Sequence, residues 1–534
     1  MEVLSETNNS RVQTERQLLD QKNDFSAAYL AVQYLFFHIK KSSASIRDQT
    51  IDALFSVLRS QHHESQKQVF FLYKEAADAL IHLSTDVTHP LSFSVLTGLK
   101  DLLVSSSGKK HRAVSEALGT LPLNITGPDI KEKYSTESAS ISFDSFLATQ
   151  EILDAKSCRW QGRTLIYQVK YEKIACIKFA RTKENIKDLV REAEWLSFLN
   201  TNPPCRESVF FIPVPVCIQK KYIFKLNSVP DFILDNKEIH PDCLAIMFIA
   251  EKDYFHYANE PCHFQDQKKT IKEVYRRNAW LLGRLTSMGI IHTAIIPLFH
   301  NRAQQTRRQD HGLYIWEQGG RLDKWLESCH YPNFAKSGLR DFEHLIPLKN
   351  IKELRHFIGE HILGFILVMG SFFRNKAPEK RGSDENGKPL DLRSLFDRDL
   401  FIELITEVVT NYYHGVTGLL LENLPKFLNE NLIDRLIENM GIDHHMEEIL
   451  RIQDQINMSE EDFENFLLSR GYDVSLVKTI PKAEKDIILN TGPHLGGFNQ
   501  PISVPELIDF LFCLSSLCVS DRFITENGLK ACRN

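Results

Sequence analysis

The sequence predicts an α+β chain, with a mixed α+β region in its middle, an α-helical repeat-like domain before it and a helical bundle after it. Three observations predict this. Apolar residues return at helical spacing from Asp24 to Leu121, short strand-like runs cluster between Arg163 and Ile249, and helical periodicity dominates again from Thr270 onward. A chain of 534 residues also exceeds what one hydrophobic core serves, so several domains are expected.

In the first region Ile51, Leu54, Phe55 and Leu58, then Val69, Leu72, Tyr73, Ala76, Leu80 and Leu83, form stripes that need a neighbour to cover them. Segments beginning near Asp24, Ser45, Glu64 and Pro90 start about twenty residues apart, which resembles the stacked helical pairs of HEAT or armadillo solenoids. Two readings stand: a surface for a protein partner, or a bundle that braces the next domain. The run Ser105 to Arg112 is a polar loop, and helical periodicity stops at Thr126-Gly-Pro-Asp129. A helical domain is therefore expected over 1–122 and a linker over 123–143.

Strands are expected at Arg163 to Lys170, Lys173 to Ala180, Val209 to Ile218 and Leu244 to Ile249, with a helix from Glu184 to Leu199 among them. This order predicts an α+β lobe over 144–260 and a helical lobe over 261–374. Residues 375–391 are rich in Gly, Pro and charge and predict a flexible insert. The remainder, 392–534, is expected to be helical. Phe401 to Leu421, Leu432 to Met440 and Glu460 to Leu468 are apolar-periodic, and Ser459 with Asp462 has capping-box spacing.

A net charge of -5 gives no reason to expect a nucleic-acid partner. Ten cysteines scattered without a CxxC fit reduced thiols better than a disulfide framework or a zinc site. The first residues have neither a basic n-region nor an apolar h-region, and the longest apolar run, Ile362 to Phe373, falls short of the roughly 20 residues a membrane span needs. A soluble, cytoplasmic protein with no membrane partner is expected; the sequence does not set its oligomeric state.

The chemistry begins at Ile174-Ala-Cys-Ile-Lys178, an apolar strand whose alternation ends on a lysine. A point charge on a rigid strand suits phosphate oxygens, and a carboxylate on the next helix holds it in place. The helix Asp188 to Leu199 offers Glu192, with Glu194 as the second choice. Together these resemble the V-A-I-K strand and helix C of protein kinases. Further elements follow in kinase order over Asp144 to Phe373. Leu244 to Glu251 resembles the strand and hinge that hold an adenine, with Met247 at the gatekeeper position and Ala250 at the hinge. Ile271 to Ser287 resembles helix E and leads to His292, the catalytic-loop histidine. Ser337-Gly-Leu-Arg-Asp341-Phe-Glu343 resembles the D-F-G turn, and the apolar helix ending at Phe373 resembles helix F.

The resemblance implies ATP and Mg²⁺ as cofactors. Lys178 and Arg163 would meet the phosphates, and Glu192 would orient the lysine. Asn301, Asp341 and Glu343 are the candidate metal ligands. Several positions depart from the pattern. Ala294 stands where the catalytic aspartate would accept a proton, and alanine accepts none. Asn301 comes two residues late, Glu343 replaces the glycine of the turn, and only Gly162 precedes the lysine where a glycine-rich loop would lie. Kinase-like proteins without that aspartate, such as selenoprotein O and the bacterial effector glutamylases, transfer AMP or adenylate a carboxylate. An ATP-dependent transferase of AMP or phosphoryl groups, or one that adenylates a carboxylate, on a protein or small molecule, is therefore the leading expectation, with His300, Glu343 or a distant carboxylate as the substitute base for phosphoryl transfer. A catalytically inactive pseudokinase scaffold and a ligase resembling the siderophore synthetases, which carry a similar R-D-F turn, are the alternatives. The pairs His62-His63 and His444-His445 lack metal-site spacing and read as solvated helix ends, and glycines after His494 read as turn formers.

Overall fold

The computed structural model describes residues 25–38, 44–60, 66–85, 91–128, 138–154, 156–183, 185–205, 212–236, 239–256, 266–295, 332–349, 351, 354–373, 398–421, 432–433 and 505–528. Helices α1 (Phe25–His38), α2 (Ala44–Arg59), α3 (Gln66–Ser84), α4 (Ser92–Ser105) and α5 (Gly108–Leu118) come first. The stripes read from the sequence are their buried faces: Leu54, Leu58, Leu72, Ala76 and Leu80 are fully covered. Helix α3 packs against α1, α2, α4 and α5.

Next come β1 (Ala139–Ser142), α6 (Phe143–Ala148), β2 (Cys158–Gln161), β3 (Thr164–Val169), β4 (Lys173–Phe179) and α7 (Ile186–Thr201). They are followed by β5 (Val214–Pro215), β6 (Phe224–Asn227), α8 (Asp231–Leu234) and β7 (Leu244–Glu251). The seven strands make one mixed sheet in the order β1-β6-β7-β4-β3-β2, with β5 pairing β7; β1 and β6 are parallel and the other pairs antiparallel. The fold class is thus α+β.

Strand alternation divides this sheet into two dressed faces. Ile174, Cys176 and Lys178 of β4 lie opposite Ala250, Phe248 and Ile246 of β7, on the face that α7 covers. Ala175, Ile177 and Phe179 take the other face with Met247, in a separate core closed by Phe143 and Phe146 of α6 and Ile233 of α8.

The strand expected from Val209 to Ile218 is reduced, within the described residues, to the two-residue β5. Pro213 and Pro215 have no N–H for a ladder, so only local pairing survives. Strands β1, β2 and β6 were not expected. Each is four residues long, too short for alternation to stand out.

Helix α9 (Gln267–Ser287) opens on Asp266, whose carboxylate accepts from the Lys269 N–H at 3.2 Å. It leads into β8 (Ile290–His292). Then come the hairpin β9 (Phe334–Ala335) and β10 (Gly338–Leu339), a 3₁₀ turn at Phe342–His344, and β11 (Leu345–Pro347), which pairs antiparallel with β8. Gly289 starts this unit at φ +72, and a Cβ there would sit 2.5 Å from the Gly127 nitrogen. Glycine thus lets the end of the N-terminal region pass across the β8 entry.

Helices α10 (Leu354–Phe373), α11 (Arg398–Thr417) and α12 (Pro505–Glu526) complete the described chain. In α10, Ile358, Ile362, Phe365 and Val368 are wholly buried, as expected of a core helix. Helix α9 crosses α11 at two glycines: a Cβ on Gly283 would meet the Tyr412 carbonyl at 2.3 Å. Helix α12 packs against α10, α11, α4 and α5. Asp521 on it pairs with Lys100 and accepts from the Tyr413 hydroxyl at 2.5 Å, while Ser516 donates to the Ser115 carbonyl at 2.7 Å.

The insert at 375–391, most of Leu432 to Met440, the helix at Glu460 to Leu468 with its Ser459 cap, both histidine pairs and the His494 loop lie outside the described residues. Among the described residues no helix is long and apolar enough to cross a membrane.

Candidate functional site

Because β4 alternates, Lys178 leaves the sheet on the α7 side, and its backbone is held between Thr164 of β3 and Ile246 of β7. Helix α7 buries Leu189, Ala193, Leu196 and Leu199 along one stripe, and Glu192 lies within that stripe. The inward stripe thus carries one carboxylate to the lysine: Glu192 Oε2 lies 2.8 Å from Lys178 Nζ. Glu194 is only half buried and takes no part in this pairing.

Two more carboxylates come from the turn after β10. Asp341 Oδ1 lies 3.1 Å from Lys178 Nζ, and Glu343 Oε2 lies 2.5 Å from it. Arg163, at the β2–β3 turn, reaches Glu343 Oε1 at 3.0 Å. Asp341 sits in the left-handed region, φ 51 and ψ 59, a conformation that costs a non-glycine residue about 1–3 kcal/mol and is held by its surroundings.

The surroundings that hold it are buried and polar. The Ala294 N–H donates to His292 Nδ1 at 3.2 Å, so His292 carries its proton on Nε2 and donates to the Arg340 carbonyl at 2.8 Å, one residue before Asp341. The His292 carbonyl accepts from His361 Nε2 at 2.9 Å, and the Tyr412 hydroxyl donates to His361 Nδ1 at 2.7 Å. Burial pushes the His361 imidazole down to about 3, so it stays neutral in this chain. Thr293 Oγ1 donates to the His344 carbonyl on the far side of the turn at 2.9 Å.

Burial works against the Lys178 ammonium, but Asp341, Glu192 and Glu343 overcome it and hold the lysine charged. For Glu192 burial dominates, assisted by the neighbouring Glu343, and its carboxyl is raised well above the usual range despite Lys178. Burial also opposes ionisation of Glu343, yet Lys178 and Arg163 outweigh it and keep this carboxyl below the usual range. One ionised and one proton-holding carboxyl side by side is what a dry cluster with excess acid produces.

A cleft of about 360 Å³ opens beside this cluster. Arg163, Lys178, Arg181 and Arg340 bring positive charge to its wall, and Asp188, Asp341 and Glu343 bring negative charge. Asp341 is the most exposed of the three carboxylates that meet Lys178, at 28%. The ligand atoms of Glu192, Asp341 and Glu343 lie within 4.8 Å of one another, and Glu192 Oε1 has no hydrogen-bond partner. These are hard oxygen donors of the kind Mg²⁺ takes, so the residues present fit a divalent cation.

The structure brings Lys178, Glu192, Asp341, Glu343 and Arg163 together. It does not bring Met247, Ala250 or His292 to the cleft. Met247 projects from the opposite face of the sheet into the core around Phe146 and Phe224, because it opposes Ile177 and not Lys178. Ala250 is on the correct face, but it is buried and does not line this cleft. Tyr254 stands against Phe248 there, with the Arg340 guanidinium over the rings of Tyr254 and Phe255. His292 is 1% exposed and does not line the cleft; its ring donates to the Arg340 carbonyl and stands 6.4 Å from the His344 ring. Asn301 lies outside the described residues. Ala294 is fully buried, and its carbonyl accepts from Asn333 Nδ2 at 2.7 Å.

Sequence reasoning missed Arg340, Asn333 and Asp188. Arg340 had a signal, since it stands next to Asp341, whereas Asn333 follows a long stretch without pattern. No protein-family model matches this chain, and no curated protein matches it either.

Proposed function

We propose that the chain is a kinase-like, ATP-dependent transferase whose two lobes meet at the charged cleft. One observation carries the reading: Lys178, Glu192 and Asp341 arise on a strand, the following helix and a late turn, in the kinase order, and converge on one ammonium. In this reading Lys178 and Arg163 meet phosphate oxygens and Glu192 keeps the lysine in place. Asp341 and Glu343 would hold Mg²⁺, which when bound would neutralise charge on the phosphates. Asp188 is the proton acceptor assigned here, because it is the cleft carboxylate that does not touch Lys178. The likeness to kinase-fold proteins without the loop aspartate favours AMP as the transferred group, and Ala294 is the residue that favours it.

A second reading has its own support. Tyr254, Phe255 and Arg340 cover the sheet face at Ala250, where an adenine would lie in a kinase. This favours a nucleotide-free scaffold that binds a protein partner through its N-terminal helices.

Incubation with α-labelled and, separately, γ-labelled ATP plus Mg²⁺ or Mn²⁺ separates the two. Transfer from the α position marks AMP transfer and transfer from the γ position marks a kinase. Absence of both, with no thermal shift on adding ATP, overturns the enzymatic reading. Asp188→Asn is expected to abolish transfer while leaving the ATP thermal shift in place.

A further inference from the structure

Glu343 occupies the position of an incoming anion. Its two oxygens are divided between Arg163 Nη2, at 3.0 Å, and Lys178 Nζ, at 2.5 Å, and both cations line the cleft. A guanidinium and an ammonium held at this spacing meet two oxygens of one oxyanion, and phosphate is the oxyanion such pairs serve best. The same carboxylate faces Asp341 and Glu192 on its other side, where three acids gather within 4.8 Å. Glu192 is 1% exposed there, its Oε2 meets Lys178 and its Oε1 has no hydrogen-bond partner, so the acidic side has donor capacity left for a cation.

We propose that Glu343 is an internal anion that holds the Arg163–Lys178 pair closed until a divalent cation arrives. A cation taken by Asp341 and Glu343 draws the Glu343 carboxylate off Arg163, and the freed pair then accepts a phosphate-class anion. Binding is therefore ordered, cation before phosphate. No covalent bond is made or broken; the pairs of Glu343 with Arg163 and with Lys178 are exchanged for its contact with the cation and for the contacts of those two residues with the anion. The inference rests on the same cleft as the proposed transferase but not on any group being transferred.

The test is calorimetric titration of the full chain with tripolyphosphate, in chelator and in Mg²⁺. Wild type is expected to bind only with Mg²⁺. Because Mg²⁺ also complexes tripolyphosphate in solution, the deciding variant is Glu343→Gln. It is expected to bind tripolyphosphate in chelator at least about tenfold more tightly than wild type, since the competing charge is gone. A Glu343→Gln protein that binds no more tightly than wild type in chelator overturns the proposal. Arg163→Ala tests the other arm by Mn²⁺ titration alone. Glu343 is then free of its competitor, and Mn²⁺ affinity is expected to rise severalfold; unchanged or weaker Mn²⁺ binding overturns the proposal. Titration with ATP in place of tripolyphosphate separates this inference from the transferase. A Glu343→Gln gain with tripolyphosphate but not with ATP supports the gate and counts against ATP as the substrate.

Discussion

Replacing Lys178 by Met removes the one ammonium that three carboxylates share. The substitution nearly conserves volume, so packing changes little. At an effective dielectric near 20, the Lys178–Asp341 pair at 3.1 Å is worth about 5 kcal/mol before desolvation. Glu192 and Glu343 are 1% and 9% exposed and have no water to turn to, whereas Asp341 at 28% does. Only Arg163 would remain against them in this cluster. The net loss expected for leaving buried charge unpaired is about 3–5 kcal/mol at pH 8. The variant has a route of relief, because its carboxylates can take up protons. Their folded-state pKa values would then lie above the unfolded ones, so stability falls as pH rises and the deficit shrinks toward pH 5. Denaturant unfolding of both proteins at pH 5 and pH 8, followed by tryptophan fluorescence with Trp160 and Trp195 near the site, measures this. A deficit below about 1 kcal/mol at pH 8, or one that grows toward pH 5, would refute the account of a dry, lysine-centred cluster.

In His361 the folded pKa of about 3 lies below the unfolded value near 6.5, so the stability it lends is complete above pH 6.5 and is lost as pH falls. His361→Asn is expected to flatten the stability–pH slope between pH 6.5 and 4 and to destabilise at pH 8 by about 1–3 kcal/mol, both read from denaturation midpoints. Gly283→Ala sets a helix-propensity gain of about 1 kcal/mol against a backbone clash costing about 3. The clash wins, and a lower thermal midpoint is expected where an exposed helix glycine would give a higher one. Asp521→Asn, which removes the charge facing Lys100, is expected to cost about 1–3 kcal/mol and to speed protease cleavage next to α12.

What the sequence disclosed followed the strength of its periodicities. Helix α10 was expected at the residues it occupies, and β4 and α9 within a few residues of their ends, because long apolar patterns report burial directly. The charged cluster was also legible: Lys178 and Glu192 interrupt apolar patterns that fix their direction, and Asp341 stands in a turn that resembles D-F-G. Met247 was misplaced for the opposite reason. Its strand is apolar on both faces, so no alternation tells one face from the other, and only pairing with Ile177 assigns it. Helix α12 was expected only as part of the helical remainder 392–534, without bounds of its own, because its buried face includes Ser515, Ser516 and Ser520, which break an apolar stripe yet pack in the interior. Their hydroxyls donate to backbone carbonyls, which leaves no trace in a hydropathy pattern. The role of Arg340 depends on rings of Tyr254 and Phe255 brought from far along the chain.

The contact between Lys100 and Asp521 spans 421 residues of chain. During synthesis at about 5–20 residues per second, α4 and α5 therefore wait about 20–80 s for the helix that completes their packing. For that interval the apolar side of α5 that α12 later covers faces water or a chaperone, and the early helices mature only after the sheet and the charged cleft have been made.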